Sequence, residues 1–173
     1  LGSRANAEGE SAVAVGDSAQ ATGDQSTAVG GSRPAGPNLG HVATTASGVR
    51  ASAFGAAAQA TGIQSTAIGW NSFATDVSAT SLGESAFANA RWSTALGGSA
   101  FANGDSATAL GFYANALADN SVALGAGSVA DRPDSVSVGA GPNIDGFAED
   151  RQITHVAAGT EATDAVNKAQ LDE

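Results

Sequence analysis

The sequence predicts an all-β fold, a parallel β-solenoid (β-roll) of 14-residue repeats, and three observations carry that expectation. A glycine recurs at positions 16, 30, 55, 69, 83, 97, 111, 125 and 139, always 14 apart except across an insertion between Gly30 and Gly55. The residues before each glycine alternate in size, which is the signature of a strand. Aromatic residues make up only 5% of the chain although 42% is hydrophobic, so alanine supplies the apolar count and a bulky core is unavailable.

The columns of the repeat define each element in turn. Immediately before the glycine stands a large apolar residue: Val15, Val29, Phe54, Ile68, Leu82, Leu96, Leu110, Leu124 and Val138. One residue earlier is always Ala or Ser, and the residue before that is Val, Thr or Ser. A second alternating stretch follows each glycine, with small residues such as Ala58, Ala86 and Ala100 and a column of alanines at 21, 60, 74, 88, 102, 116 and 130. Between those small columns lie Gln20, Gln59, Phe73, Phe87, Phe101, Asn115 and Val129. Turn pairs such as Gly23-Asp24, Gly104-Asp105 and Asp119-Asn120 close the unit. Each repeat thus reads strand, glycine corner, strand, turn. Two short strands cannot stand alone, but stacked coils pair their backbones with the coils on either side. The glycine column marks a corner that needs positive φ or close approach.

Side chains alternate across a strand. With the small columns of both strands facing inward, the lumen of a 14-residue coil is filled by Ala and Ser, and the nine large aliphatic and aromatic residues form an outward stripe. Soluble monomers seldom expose such a stripe, and copies of the chain arranged around a symmetry axis would cover it. The opposite packing, large residues in and alanines out, would give a monomeric solenoid. It leaves the second strand without large inward partners.

Composition restricts the function classes. The formal net charge of −10 disfavours nucleic acid and anionic lipid as partners. There is no cysteine, hence no disulfide, thiol chemistry or Cys-based zinc site. No run approaches a membrane span and no signal peptide is present, so no direct membrane contact is expected of this segment. The lack of methionine suits a piece of a longer chain, with Leu1-Gly2-Ser3 read as a foreign leader. The two histidines, His41 and His155, are far apart, and no triad, phosphate loop or calcium repeat is localised, so neither enzyme activity nor a metal or other cofactor is expected. The threonines at 66, 80, 94 and 108 are similar to the hydroxyl arrays of ice-binding solenoids, but the single-width column and its leucine neighbours argue against that role.

Residues 31–41 interrupt the repeat and contain Pro34 and Pro37, which lack a ladder donor, so they are expected to form an excursion loop rather than a strand. After Gly139 the repeat decays. Residues 151–160 read as extended structure ending in a turn, and residues 164–171 as a helix start capped by Thr163 or Asp164.

Segments such as Ser93-Thr94-Ala95-Leu96-Gly97 with Ser99-Ala100-Phe101-Ala102, and Ser121-Val122-Ala123-Leu124-Gly125, resemble the head repeats of the YadA family of trimeric autotransporter adhesins. The tail is similar to the neck motif of that family through Ile153, His155, Val156, Gly159, Thr160, Asp164, Ala165, Val166, Asn167, Gln170 and Leu171. The resemblance implies a left-handed parallel β-roll, a homotrimer, and a head over residues 1–146 followed by a neck and the start of a coiled-coil stalk over 147–173. It also implies display on a Gram-negative surface through a C-terminal outer-membrane barrel beyond this segment, and attachment to a host extracellular-matrix protein or cell-surface receptor. The insertion and the phenylalanine column depart from the basic repeat.

Two surface features are candidates for binding. Phe73, Phe87 and Phe101 fall one coil apart, with Trp70, Trp92, Phe112 and Tyr113 near them in the repeat, and aromatic residues are favoured anchors. The same column could instead serve coil-to-coil stacking. Function accordingly divides between an adhesive head and a passive spacer or self-association module.

Overall fold

A computed structural model describes residues 2–34, 41–140 and 150–173. Two parallel nine-stranded sheets run the length of the repeat region. The wide sheet stacks Val13–Val15, Thr27–Val29, Ser52–Phe54, Thr66–Ile68, Thr80–Leu82, Thr94–Leu96, Thr108–Leu110, Val122–Leu124 and the shorter Val136–Ser137. The narrow sheet stacks Asn6–Ala7, Gln20–Ala21, Thr45–Ala46, Gln59–Ala60, Phe73–Ala74, Phe87–Ala88, Phe101–Ala102, Asn115–Ala116 and Val129–Ala130. Every strand pairs with the equivalent residues one coil away, as Thr94 with Thr108 and Leu96 with Leu110. At about 4.8 Å per strand the roll is roughly 45 Å long.

The core is alanine. Ala28, Ala53, Ala67, Ala95, Ala109 and Ala123 of the wide sheet, and Ala21, Ala60, Ala74, Ala88, Ala102 and Ala116 of the narrow one, have no solvent exposure. The small-in, large-out packing is therefore the one adopted, because a lumen enclosed by two- and three-residue strands has no space for a leucine layer.

Each coil turns two corners. The glycine corners take φ from +107° at Gly125 to +151° at Gly30, and coils approach so closely that a Cβ on Gly97 would lie 2.5 Å from the Gly111 carbonyl oxygen. The second device was not evident in the sequence. From Arg50 to Asn120 every seventh residue is left-handed without being glycine, including Gln64 at +59°, Trp92 at +56° and Tyr113 at +55°. The coil is thus two seven-residue half-turns. Each such residue costs about 1 kcal/mol in strain, offset by a ladder bond to the preceding coil, as Gln64 N–H donates to Val49 O at 2.8 Å. The turn aspartates add to this ladder. Asp24, Asp105 and Asp119 accept the N–H of Glu10, Arg91 and Asp105, each from one coil earlier.

Three expectations are corrected. Gly2 and Ser3 are not outside the repeat, since Gly2 stacks beneath Gly16 and Ser18 N–H donates to Ser3 O at 2.8 Å. Leu1 lies outside the described residues. The flanks of the insertion are not all loop: Arg33–Pro34 pairs antiparallel with His41–Val42. A two-residue ladder can use the Pro34 carbonyl without a donor from its nitrogen, and Pro37 lies outside the described residues. Finally, the helix at the C-terminal end spans Lys168–Leu171 and is capped by Asn167, not by Thr163 or Asp164. The Asp164 carboxylate is already occupied by the N–H groups of Thr160 and Glu161, both at 3.0 Å. The decay of the repeat across 141–149, including the head–neck boundary, lies outside the described residues.

Hydroxyls in the lumen fall into two groups. Ser93 and Ser121 donate to Ala90 O and Ala118 O at 2.6 and 2.7 Å. Ser26, Ser65 and Ser81 are fully buried with Oγ unpartnered. An unpaired buried hydroxyl costs about 1–3 kcal/mol. Ser65→Ala is therefore expected to raise stability by about 1 kcal/mol, and Ser121→Ala to lower it, as read from paired thermal melts. Equal shifts in the two variants would contradict this assignment.

Candidate functional site

Three surfaces gather the residues singled out by the sequence. The first is the outer face of the wide sheet. Val15, Phe54, Ile68, Leu82, Leu96, Leu110 and Leu124 are exposed in register, Leu96 by 37% and Leu124 by 42%. Val29 and Val138 are partly buried, and Val138 lies one residue past the last strand. The column of Thr66, Thr80, Thr94 and Thr108 flanks this stripe on the same face, since side chains two apart share a face. The result is a mixed Thr–Leu surface rather than a flat hydroxyl array.

The second surface is the outer face of the narrow sheet and the corners beside it. Phe73 and Phe87 stack at 4.7 Å between ring centroids and 3° between planes, while Phe87 and Phe101 lie 6.2 Å apart and tilted by 59°. All three are half-buried, each ring covering part of the next. The four flanking aromatics divide between two corners. Trp70, Phe112 and Tyr113 stand at the glycine corner, immediately after Gly69 and Gly111, whereas Trp92 stands at the opposite corner. Phe112 and Tyr113 pack edge to face at 4.4 Å, and the Phe112 ring lies over Gly98, whose missing side chain leaves it room. The Arg91 guanidinium covers Trp92 at 4.6 Å. The Arg33 guanidinium covers Trp70 at 5.5 Å and donates from Nε to Asn71 Oδ1 at 3.0 Å, so the base of the insertion is fastened to the second coil along from the Gly30 corner.

The third surface is the neck. His155 adopts φ +60° within an extended stretch, and its Nδ1 lies 3.2 Å from Thr154 Oγ1. Asn167 and Gln170 tie the segment to itself. Asn167 Oδ1 accepts Gln170 N–H at 3.1 Å, its Nδ2 donates to Val156 O at 3.1 Å, and the Gln170 amide exchanges hydrogen bonds with Gly159 at 2.8 and 3.0 Å. Two backbone N–H donors hold the Asp164 pKa below the usual carboxylate range. With its polar groups paired internally, the neck leaves its apolar ones outside: Ile153, Val166 and Leu171 are exposed, Leu171 by 79%. Ile153, His155, Val156, Ala165, Val166 and Asn167 line an open groove of about 410 Å³. The sequence marks Asn167 and Gln170 only through the motif, because their partners at 156 and 159 are eleven residues distant.

Among the described residues no group of three or more His, Cys, Asp or Glu side chains could hold a metal ion, and no helix is long and apolar enough to cross a membrane. The described residues thus present an apolar stripe and an aromatic column on the outside of a stacked roll, with a segment at the C-terminal end that exposes further apolar side chains. Residues 1–32, 46–72, 93–114 and 116–141 match the YadA head domain repeat, and residues 152–173 match the coiled stalk of trimeric autotransporter adhesins. Among solved structures, the collagen-binding domain of the Yersinia adhesin YadA is 32% identical, with a TM-score of 0.64 over 94% of this chain and 96% of that one. No curated protein matches the chain. The chain belongs to the YadA-like trimeric autotransporter adhesins, surface proteins of Gram-negative bacteria, and comprises head repeats with neck and stalk.

Proposed function

We propose that this chain is the adhesive head of a surface fibre, that three copies associate through the wide-sheet stripe and the neck groove, and that the trimer captures a host extracellular-matrix protein. Residues 1–146 would form the head, residues 147–173 the neck and the start of the stalk, and an outer-membrane barrel further along the chain would anchor the whole. The observation that carries the reading is the likeness along nearly the full chain to a domain described as collagen-binding. Collagen is therefore the first ligand to test. The aromatic column, with Trp70, Phe112 and Tyr113 beside it, is the candidate contact surface, since aromatic-lined surfaces dock proline-rich chains.

A second reading, the passive spacer, draws on the stacking of Phe73 on Phe87, which serves coil-to-coil cohesion whether or not a ligand exists. Immobilised collagen, fibronectin and laminin separate the two. The trimer is expected to bind at least one saturably, and Phe101→Ala to weaken that binding about tenfold, as for an interface anchor. Saturable capture unaffected by Phe101→Ala would move the contact surface elsewhere on the head. No saturable capture of any of the three would favour the spacer.

A further inference from the structure

A solenoid has to be ended, because its last coil has no successor to pair with and open ladder edges invite other chains. From Gly30 to Gly111, the carbonyl one residue past each corner glycine accepts an N–H from the next coil, as Trp70 O does from Ser85 at 2.9 Å and Gly98 O from Tyr113 at 3.0 Å. The carbonyl just before each glycine does the same, as Leu96 O accepts from Gly111 N–H at 2.8 Å. At the C-terminal end these carbonyls face side chains, Leu124 O accepting from Ser128 Oγ at 2.7 Å and one of each kind accepting from Arg151. Arg151 donates from Nη2 to Ala126 O at 2.6 Å and from Nη1 to Val138 O at 2.9 Å, and Nη1 also reaches Ser128 Oγ at 3.0 Å.

Two further observations agree. A Cβ on Gly111 would meet the Gly125 backbone of the next coil at 2.6 Å, whereas a Cβ on Gly125 would meet the Arg151 guanidinium carbon at 3.0 Å. Where a corner would stack, the guanidinium lies instead. The last coil is also cut short. Asn115 N–H donates to Ser128 O thirteen residues on, as inside the roll, but Val129 N–H donates to Gly139 O only ten residues on, at 2.9 Å. Asp150 then crosses Gly139, with its Cα 2.8 Å from where a Cβ would be.

We propose that Arg151 is the coil terminator of this head, a positioning residue whose guanidinium takes the place of a further corner and sets the direction in which the neck leaves the roll. Arginine suits the task because its rigid planar fork carries N–H donors on separate nitrogens and so spans two carbonyls, whereas an ammonium offers its donors from one compact centre. Arg151 stands directly before the stalk match that begins at residue 152, so the contact joins the two modules.

Hydrogen exchange on the full chain, with Arg151→Lys and Arg151→Ala, tests this. The amides of Gly125, Gly127, Ser128 and Val129 are expected to exchange about tenfold faster in Arg151→Lys, from loss of charge-assisted bonds, and faster still in Arg151→Ala. Those of Thr80 to Leu96 should not change. Spin labels at Asn103→Cys and Glu161→Cys, in trimers diluted with unlabelled chains, should report a broader head–neck distance in both variants. Parental exchange at these four amides, or a parental distance distribution, would overturn the proposal. So would faster exchange in all coils alike, which would make Arg151 a general contributor to stability.

Discussion

Aspartate in place of Leu96 is expected to separate the chains while leaving the coils folded. Leu96 already makes its ladder pairs to Leu82 and Leu110 within one chain and points away from the alanine lumen, so the substitution removes nothing from the core. Covering what remains exposed is worth about 1–2 kcal/mol per coil, summed along the stripe. Three carboxylates brought together in a desolvated interface reverse that gain, each costing several kcal/mol. Light scattering should give the mass of three chains for the parent and of one for Leu96→Asp, with the β circular-dichroism signal retained. An undiminished trimer would place the interface on another face.

The largest loss of stability is expected from Gly83→Ala. Gly83 has φ +142°, where an L-residue is strained by about 1–3 kcal/mol. A Cβ there would also lie 2.4 Å from the Gly97 carbonyl oxygen, a backbone atom held in the ladder that can yield only if two coils part. The combined cost is about 3 kcal/mol or more. Since each coil contacts only its neighbours, the break should divide the roll into two separately melting blocks. Gly31→Ala is the control, having no atom within 4 Å of its Cβ position, and should melt as the parent does. Equal melting of the two variants would mean that the coils do not stack as described.

The family and most of the fold were legible because a solenoid writes its structure in the identity of each column. Size alternation in Thr94-Ala95-Leu96 tells inside from outside, and the glycine column tells where the chain turns. The neck was legible as a motif, but its chemistry was not. Thr163 and Asp164 look like caps by local rules, yet Asp164 closes the preceding loop and Asn167 caps the helix. The strand Thr45–Ala46 and the membership of Gly2 in the repeat were missed for a related reason. The insertion hides the register of the first, and position at the chain's start that of the second.

The sequence by itself determined the 14-residue period, the alanine lumen, the outward stripe and the glycine corners, since these depend on residue size and on a conformation that only glycine takes easily. The tertiary structure alone decided the rest. The seven-residue half-turn is invisible in the sequence because Ser, Gln, Asn, Arg, Trp and Tyr all occupy its left-handed position, held there by bonds to the neighbouring coil rather than by their own preference. The clasp of Arg33 on Trp70 and Asn71, and the closure of the last coil by Arg151, join residues tens of positions apart. Such contacts follow from stacking the chain upon itself, and no local pattern of residues encodes them.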